Sequence, residues 1–300
     1  MLIIIEHLMY RLKVQENLPT VPHPCDYFDL IGGTSTGGLI ALMMGCLRMS
    51  VKDAVKAYGQ LAKEVFSDVK SPGSARRFKA SKLEKAIKGI VRASSASQDP
   101  EEKLEDIRDN ACKMFVCAMN AANMSLSILL RTYNTPNHPA MDSFADGGMG
   151  YNNPTAALLL EAKVLFPDRQ IACIISLSTG QPHTINVPKS SLLHRFIPLD
   201  IEHQSLAHRF DGVAKIYFHF NVEPGMQDIQ LNNGCSSRDL ILTQLNQWEK
   251  LGDIAANTRQ YIQSQPVVTQ LTDAVKSLLE KIGRVSTAGL SKTHFMLLLI

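Results

Sequence analysis

The segment Gly33-Thr34-Ser35-Thr36-Gly37 carries the clearest chemical signal in the chain. It is a Gly-x-Ser-x-Gly run between a short apolar stretch, Phe28 to Ile31, and a longer one, Leu39 to Met44. That is the strand, sharp turn and helix in which a nucleophilic serine is held exposed. Such a turn crowds the backbone, so Gly33 and Gly37 stand where side chains would clash, and the helix start at Thr36 and Gly37 offers amide hydrogens to a developing oxyanion. A serine hydroxyl is a weak nucleophile and needs a base within hydrogen-bond reach. Phe144-Ala145-Asp146-Gly147-Gly148 supplies a candidate: a carboxylate at the end of a short apolar approach, released into a turn by Gly147 and Gly148. Two other readings stay open. The Gly/Ser-rich segment can be a turn without chemistry, and His183, His194, His203, His208 and His219 downstream of Asp146 make a Ser-Asp-His order formally available. A phosphate-binding P-loop is excluded, because Leu39 stands where its lysine must be.

The surrounding pattern predicts the elements that would hold these residues. Ile4, Ile5, Leu8, Met9 and Leu12 recur at helical spacing, and the Pro19 to Pro24 stretch forces a loop. Ser50 with Asp53 resembles a capping box before an amphipathic helix carrying Val51, Ala54, Val55, Tyr58, Leu61, Ala62 and Val65. Ser81 and Glu84 open another helix, and Ser94 to Asp106 reads as a polar loop. Further strand candidates are Met114 to Ala118, Leu126 to Leu130, Ile171 to Leu177 and Ile216 to Phe220. Strands alternating with helices predict a layered α/β domain over residues 1–225. Residues 226–300 read as a helical extension, with a loose tail at Met296 to Ile300 that could alternatively meet a membrane or a partner.

Composition narrows the function classes. The 31 basic and 28 acidic residues leave a net charge of +3, too close to neutral to point to nucleic acid. No apolar stretch approaches the roughly 18 residues of a membrane-spanning helix, and Glu6 and His7 interrupt the N-terminal apolar run, so a cytoplasmic protein is expected. The six cysteines show no metal-site or redox-pair spacing and read as buried or free thiols; no metal or organic cofactor is implied. Arg76, Arg77, Lys79, Lys82, Lys85 and Lys88 form a basic run that suits either a solvated helix face or peripheral contact with anionic headgroups.

Taken together, Gly-Thr-Ser-Thr-Gly-Gly, the downstream Asp-Gly-Gly and the Gly-Tyr-Asn-Asn-Pro run at 150–154 resemble the patatin-like phospholipase family. The resemblance implies a three-layer α/β/α domain that hydrolyses lipid or phospholipid acyl esters through an acyl-serine intermediate. Matched position by position, it makes Ser35 the nucleophile and Asp146 its base, with Asn152, Asn153 and Pro154 placing the aspartate. The chain departs from the family in two respects: only Tyr133 to Ser143 stands where members carry an Ala-rich helix shortly before the aspartate, and members begin with a strand and a Gly-rich oxyanion loop, whereas residues 1–31 contain no glycine. The second departure leads to the expectation of a chain shortened at its front, and to a second functional reading, a catalytically impaired domain kept for binding or regulation.

Overall fold

The structure, a computed structural model, describes residues 1–67, 80–95, 97–106, 108, 111–121, 127–133, 144–147, 154–178, 215–222, 250–280, 285–286 and 293–300. The chain opens with α1 (Leu2–Gln15), then β1 (Leu30–Thr34) and α2 (Thr36–Ala41), which runs on into a π-helical turn at Leu42–Cys46. Next come α3 (Val51–Phe66), α4 (Ala80–Ser94), β2 (Lys113–Asn120), β3 (Ser127–Arg131), β4 (Phe144–Asp146) and α5 (Thr155–Leu165). β5 (Arg169–Leu177), β6 (Tyr217–Phe220), α6 (Leu251–Gln263), α7 (Gln265–Glu280), β7 (Val285–Ser286) and β8 (Thr293–Leu299) complete the described elements.

The strands form one sheet in the order β3-β2-β1-β8-β5-β6. β2, β1, β8, β5 and β6 run parallel, and β3 is an antiparallel edge. Parallel strands covered on both faces read as unbroken apolar runs, because every side chain enters one core or the other. Adjacent residues here divide accordingly. Ile31, Met114, Ile175 and Leu298 enter a core with Leu8 of α1, Leu61 of α3 and Leu271 of α7, while Leu30, Phe115, Ile174 and Leu297 enter a second core with Leu158 and Ala162 of α5. Two apolar cores on opposite faces of one sheet make a three-layer α/β/α sandwich.

α3 is capped as its sequence predicts: Ser50 Oγ accepts the Asp53 amide at 3.1 Å. The polar loop after α4 is tied down at two points, where Lys88 bridges Glu101 and the Asp106 amide donates to the Thr132 carbonyl at 2.9 Å.

The expected loose tail is not what the structure shows. Residues 293–299 are a strand lodged between β1 and β5, with Leu30↔Leu297 and Ile31↔Leu298 on one side and Ile174↔Leu297 and Ile175↔Leu298 on the other. Leu297 and Leu298 are wholly buried. The boundary at residues 225 and 226 consequently does not divide the described structure into a sheet domain and an outer helical part. A terminal apolar run is ambiguous in sequence; two strands with open hydrogen-bonding edges resolve it by pairing with it, since buried backbone groups need partners.

Candidate active site

β2 is the ruler of the site. Its residues Lys113 to Cys117 pair with Leu30 to Thr34 of β1, while Ala118, Met119 and Asn120 pair with Asp146, Ala145 and Phe144 of β4. Ala118 and Met119 also pair with Ile128 and Ser127 of β3, so β4 must lie on the other edge of β2, the edge β1 occupies. β1 and β4 therefore abut end to end. Thr34 stands opposite Cys117 and Asp146 opposite Ala118, so consecutive residues of one strand bring together two segments far apart in the chain.

Ser35 follows at the turn from β1 into α2 with φ 55° and ψ −121°. A non-glycine residue in that region typically costs about 1–3 kcal/mol and persists only where its surroundings enforce it. Here the enforcement is close packing. A Cβ on Gly33 would stand 2.3 Å from the Gly37 backbone, and one on Gly37 would stand 2.0 Å from the Ile300 carbonyl oxygen. Ile300 is stitched to the elbow strand, its N–H donating to the Gly32 carbonyl at 2.9 Å and its carbonyl accepting the Thr34 N–H at 3.3 Å. Ser35 Oγ donates to Asp146 Oδ2 at 2.7 Å in a partly buried setting. On the far side of the aspartate, a Cβ on Gly147 would lie 2.2 Å from the Cys117 carbonyl oxygen, so β4 leaves β2 where only a glycine fits.

Two contributors were not legible beforehand. Tyr58 of α3, read as one more residue of an apolar stripe, lies near Thr36 beside the serine; burial pushes its phenol up and the proximity of Thr36 partly offsets that. The other is the backbone of Ile300, which has no side-chain signature.

Of the remaining candidates, Gly148, Asn152, Asn153, Arg76, Arg77, Lys79, His183, His194, His203 and His208 lie outside the described residues. Pro154 is the residue that precedes α5. His219 turns its Nδ1 to Ser176 Oγ at 3.1 Å and stacks on Tyr217, in the β5–β6 part of the sheet. Burial pushes the thiols of Cys25 and Cys46 up to about 11 and that of Cys117 to about 12, so these are poor nucleophiles near neutrality. Among the described residues no group of three His, Cys, Asp or Glu side chains is arranged to hold a metal ion, and no helix is long and apolar enough to cross a membrane.

The three-layer sandwich agrees with the fold expected from the sequence, and comparison with known proteins finds similarity to patatin-like phospholipases. Residues 11–129 match the model of that family. The chain is 27% identical over 306 residues to calcium-independent phospholipase A2-gamma of Mus musculus, covering 85% of this chain and 37% of the relative. The Homo sapiens protein of the same name is 26% identical over 303 residues, with the same 85% and 37% coverage. Phospholipase A I of Arabidopsis thaliana is 21% identical over 241 residues, covering 53% of this chain and 18% of that protein. The chain thus spans little more than a third of the length of the mammalian relatives.

Proposed function

We propose that the chain hydrolyses acyl esters of lipids or phospholipids with Ser35 as nucleophile and Asp146 as its base. The observation that carries this reading is the 2.7 Å hydrogen bond from Ser35 Oγ to Asp146 Oδ2 at a strained strand-to-helix turn. The relationship to phospholipases supplies the substrate class. As Ser35 Oγ bonds to the acyl carbonyl carbon, its proton passes to Asp146 and the carbonyl electrons move to oxygen. The opening amides of α2, at Thr36 and Gly37, face that negative charge. Collapse breaks the ester bond, the departing alcohol takes the proton from Asp146, and the acyl group stays on Ser35. Water, giving its proton to the same aspartate, then releases the carboxylic acid and restores the serine.

Labelling with a fluorophosphonate followed by peptide mass spectrometry tests the assignment. The tag is expected on Ser35 and lost in Ser35→Ala and Asp146→Asn. A tag on another serine, or unchanged labelling and phospholipid turnover in Asp146→Asn, refutes the dyad. A folded wild-type protein that takes no tag supports the binding or regulatory reading instead.

A further inference from the structure

Away from the elbow, α1 and α7 enclose an open groove of about 490 Å³, within the ~300–1,000 Å³ range usual for small-molecule sites. α1 buries Ile4, Ile5, Leu8, Met9 and Leu12, yet its neighbouring face leaves Tyr10 and Val14 55% and 59% exposed, one turn apart along the groove. Val275 and Leu279 of α7 continue the apolar lining opposite them.

The polar part of the lining is cationic. Arg11 is fixed in place: its Nε donates to His7 Nε2 at 2.9 Å and its Nη1 to Thr272 Oγ1 at 2.8 Å, Thr272 itself donating to the Val268 carbonyl at 2.8 Å. Burial first, and then the Arg11 charge, push the His7 imidazole pKa down, consistent with its role as acceptor. Those two bonds occupy two of the five guanidinium N–H groups, leaving the others to serve an anion. Lys276 adds a second cation, 67% exposed and 3.7 Å from Glu280, and among the described residues no carboxylate lines the groove.

An apolar trough bounded by a pre-positioned guanidinium and an ammonium complements a molecule with one acidic head and one apolar tail. We propose that the α1–α7 groove binds a long-chain monocarboxylate, its carboxylate between Arg11 and Lys276 and its chain along Tyr10, Val14, Val275 and Leu279. The site does not depend on Ser35 chemistry, although the ligand belongs to the class of acid that the proposed hydrolysis releases.

The test uses the full chain with Ser35→Ala and oleate below its micelle concentration, followed by calorimetry. Saturable binding is expected, weakened roughly tenfold by Lys276→Glu and by Val14→Asp, with the helical circular dichroism signal retained. Oleyl alcohol, which lacks the charge, should bind at least tenfold more weakly. Oleate should also slow acylation of Lys276 by an amine-reactive ester relative to that of the exposed Lys52, a readout that needs no substitution. Equal affinity in the variants, equal affinity for the alcohol, or no protection of Lys276 overturns the proposal. So does affinity for anionic phospholipid vesicles without oleate binding, or a dimer that Val14→Asp dissolves without oleate binding.

Discussion

Truncating Leu298 to alanine separates a core strand from a frayed terminus. Its side chain is wholly buried against the cluster that holds α1, α3 and α7, while the adjacent Leu297 is equally buried against α5. A fully buried Leu→Ala change loses about 2–5 kcal/mol, because the transfer free energy of the lost atoms is joined by a cavity term. At the low end of roughly 2–4 °C per kcal/mol for domains of about 150–250 residues, a 3 kcal/mol loss lowers Tm by about 6 °C or more. Leu297→Ala should do the same from the other face. The two together approach the total stability of about 5–15 kcal/mol typical of a domain, so the double variant should not accumulate as folded protein. The assay is thermal and urea unfolding of each single variant beside Val14→Ala, whose side chain is 59% exposed and should change stability by less than about 0.5 kcal/mol. If Leu297→Ala and Leu298→Ala match Val14→Ala, the C-terminal strand is not in the sheet and the packing of Ile300 on Gly37 falls with it.

Other outcomes follow from the same geometry. Gly37→Ala places a Cβ 2.0 Å from the Ile300 carbonyl oxygen, so the backbone must shift; fluorophosphonate labelling should drop even in whatever folded protein is recovered. Gly59→Ala, in α3 with nothing within 4 Å of its Cβ, should instead raise stability by about 0.5–1 kcal/mol and leave labelling unchanged. Glu161→Gln removes the carboxylate that holds Arg131 through bonds of 2.7 and 2.6 Å and accepts from Tyr133 at 2.8 Å, and urea unfolding should report a loss of about 1–3 kcal/mol. The thiols of Cys25 and Cys46, raised by burial from about 9 to about 11, ionise more readily in the unfolded chain. Their contribution is therefore complete below pH 9 and is lost as pH rises through 11, and Cys25→Ser with Cys46→Ser should flatten that decline in unfolding measured across the window.

The strand-to-helix turn at Ser35 is readable in the sequence because its constraints are local. A serine forced to φ 55° between an apolar strand and a helix needs small neighbours on both sides, and Gly33 and Gly37 record that need within five residues. The parallel strands are readable for a related reason: burial on both faces removes polar residues, leaving runs such as Ile171 to Leu177. Asp146 is legible as a carboxylate at a glycine turn, but its meeting with Ser35 is not, since it depends on β2 extending past the end of β1 so that β4 takes up the vacant edge. Most opaque in sequence is the placement of Thr293 to Leu299. An apolar run at a chain end carries no local signal that distinguishes a loose tail from a central strand; that choice is made by β1 and β5, whose facing edges leave rows of backbone donors and acceptors that only another strand can satisfy.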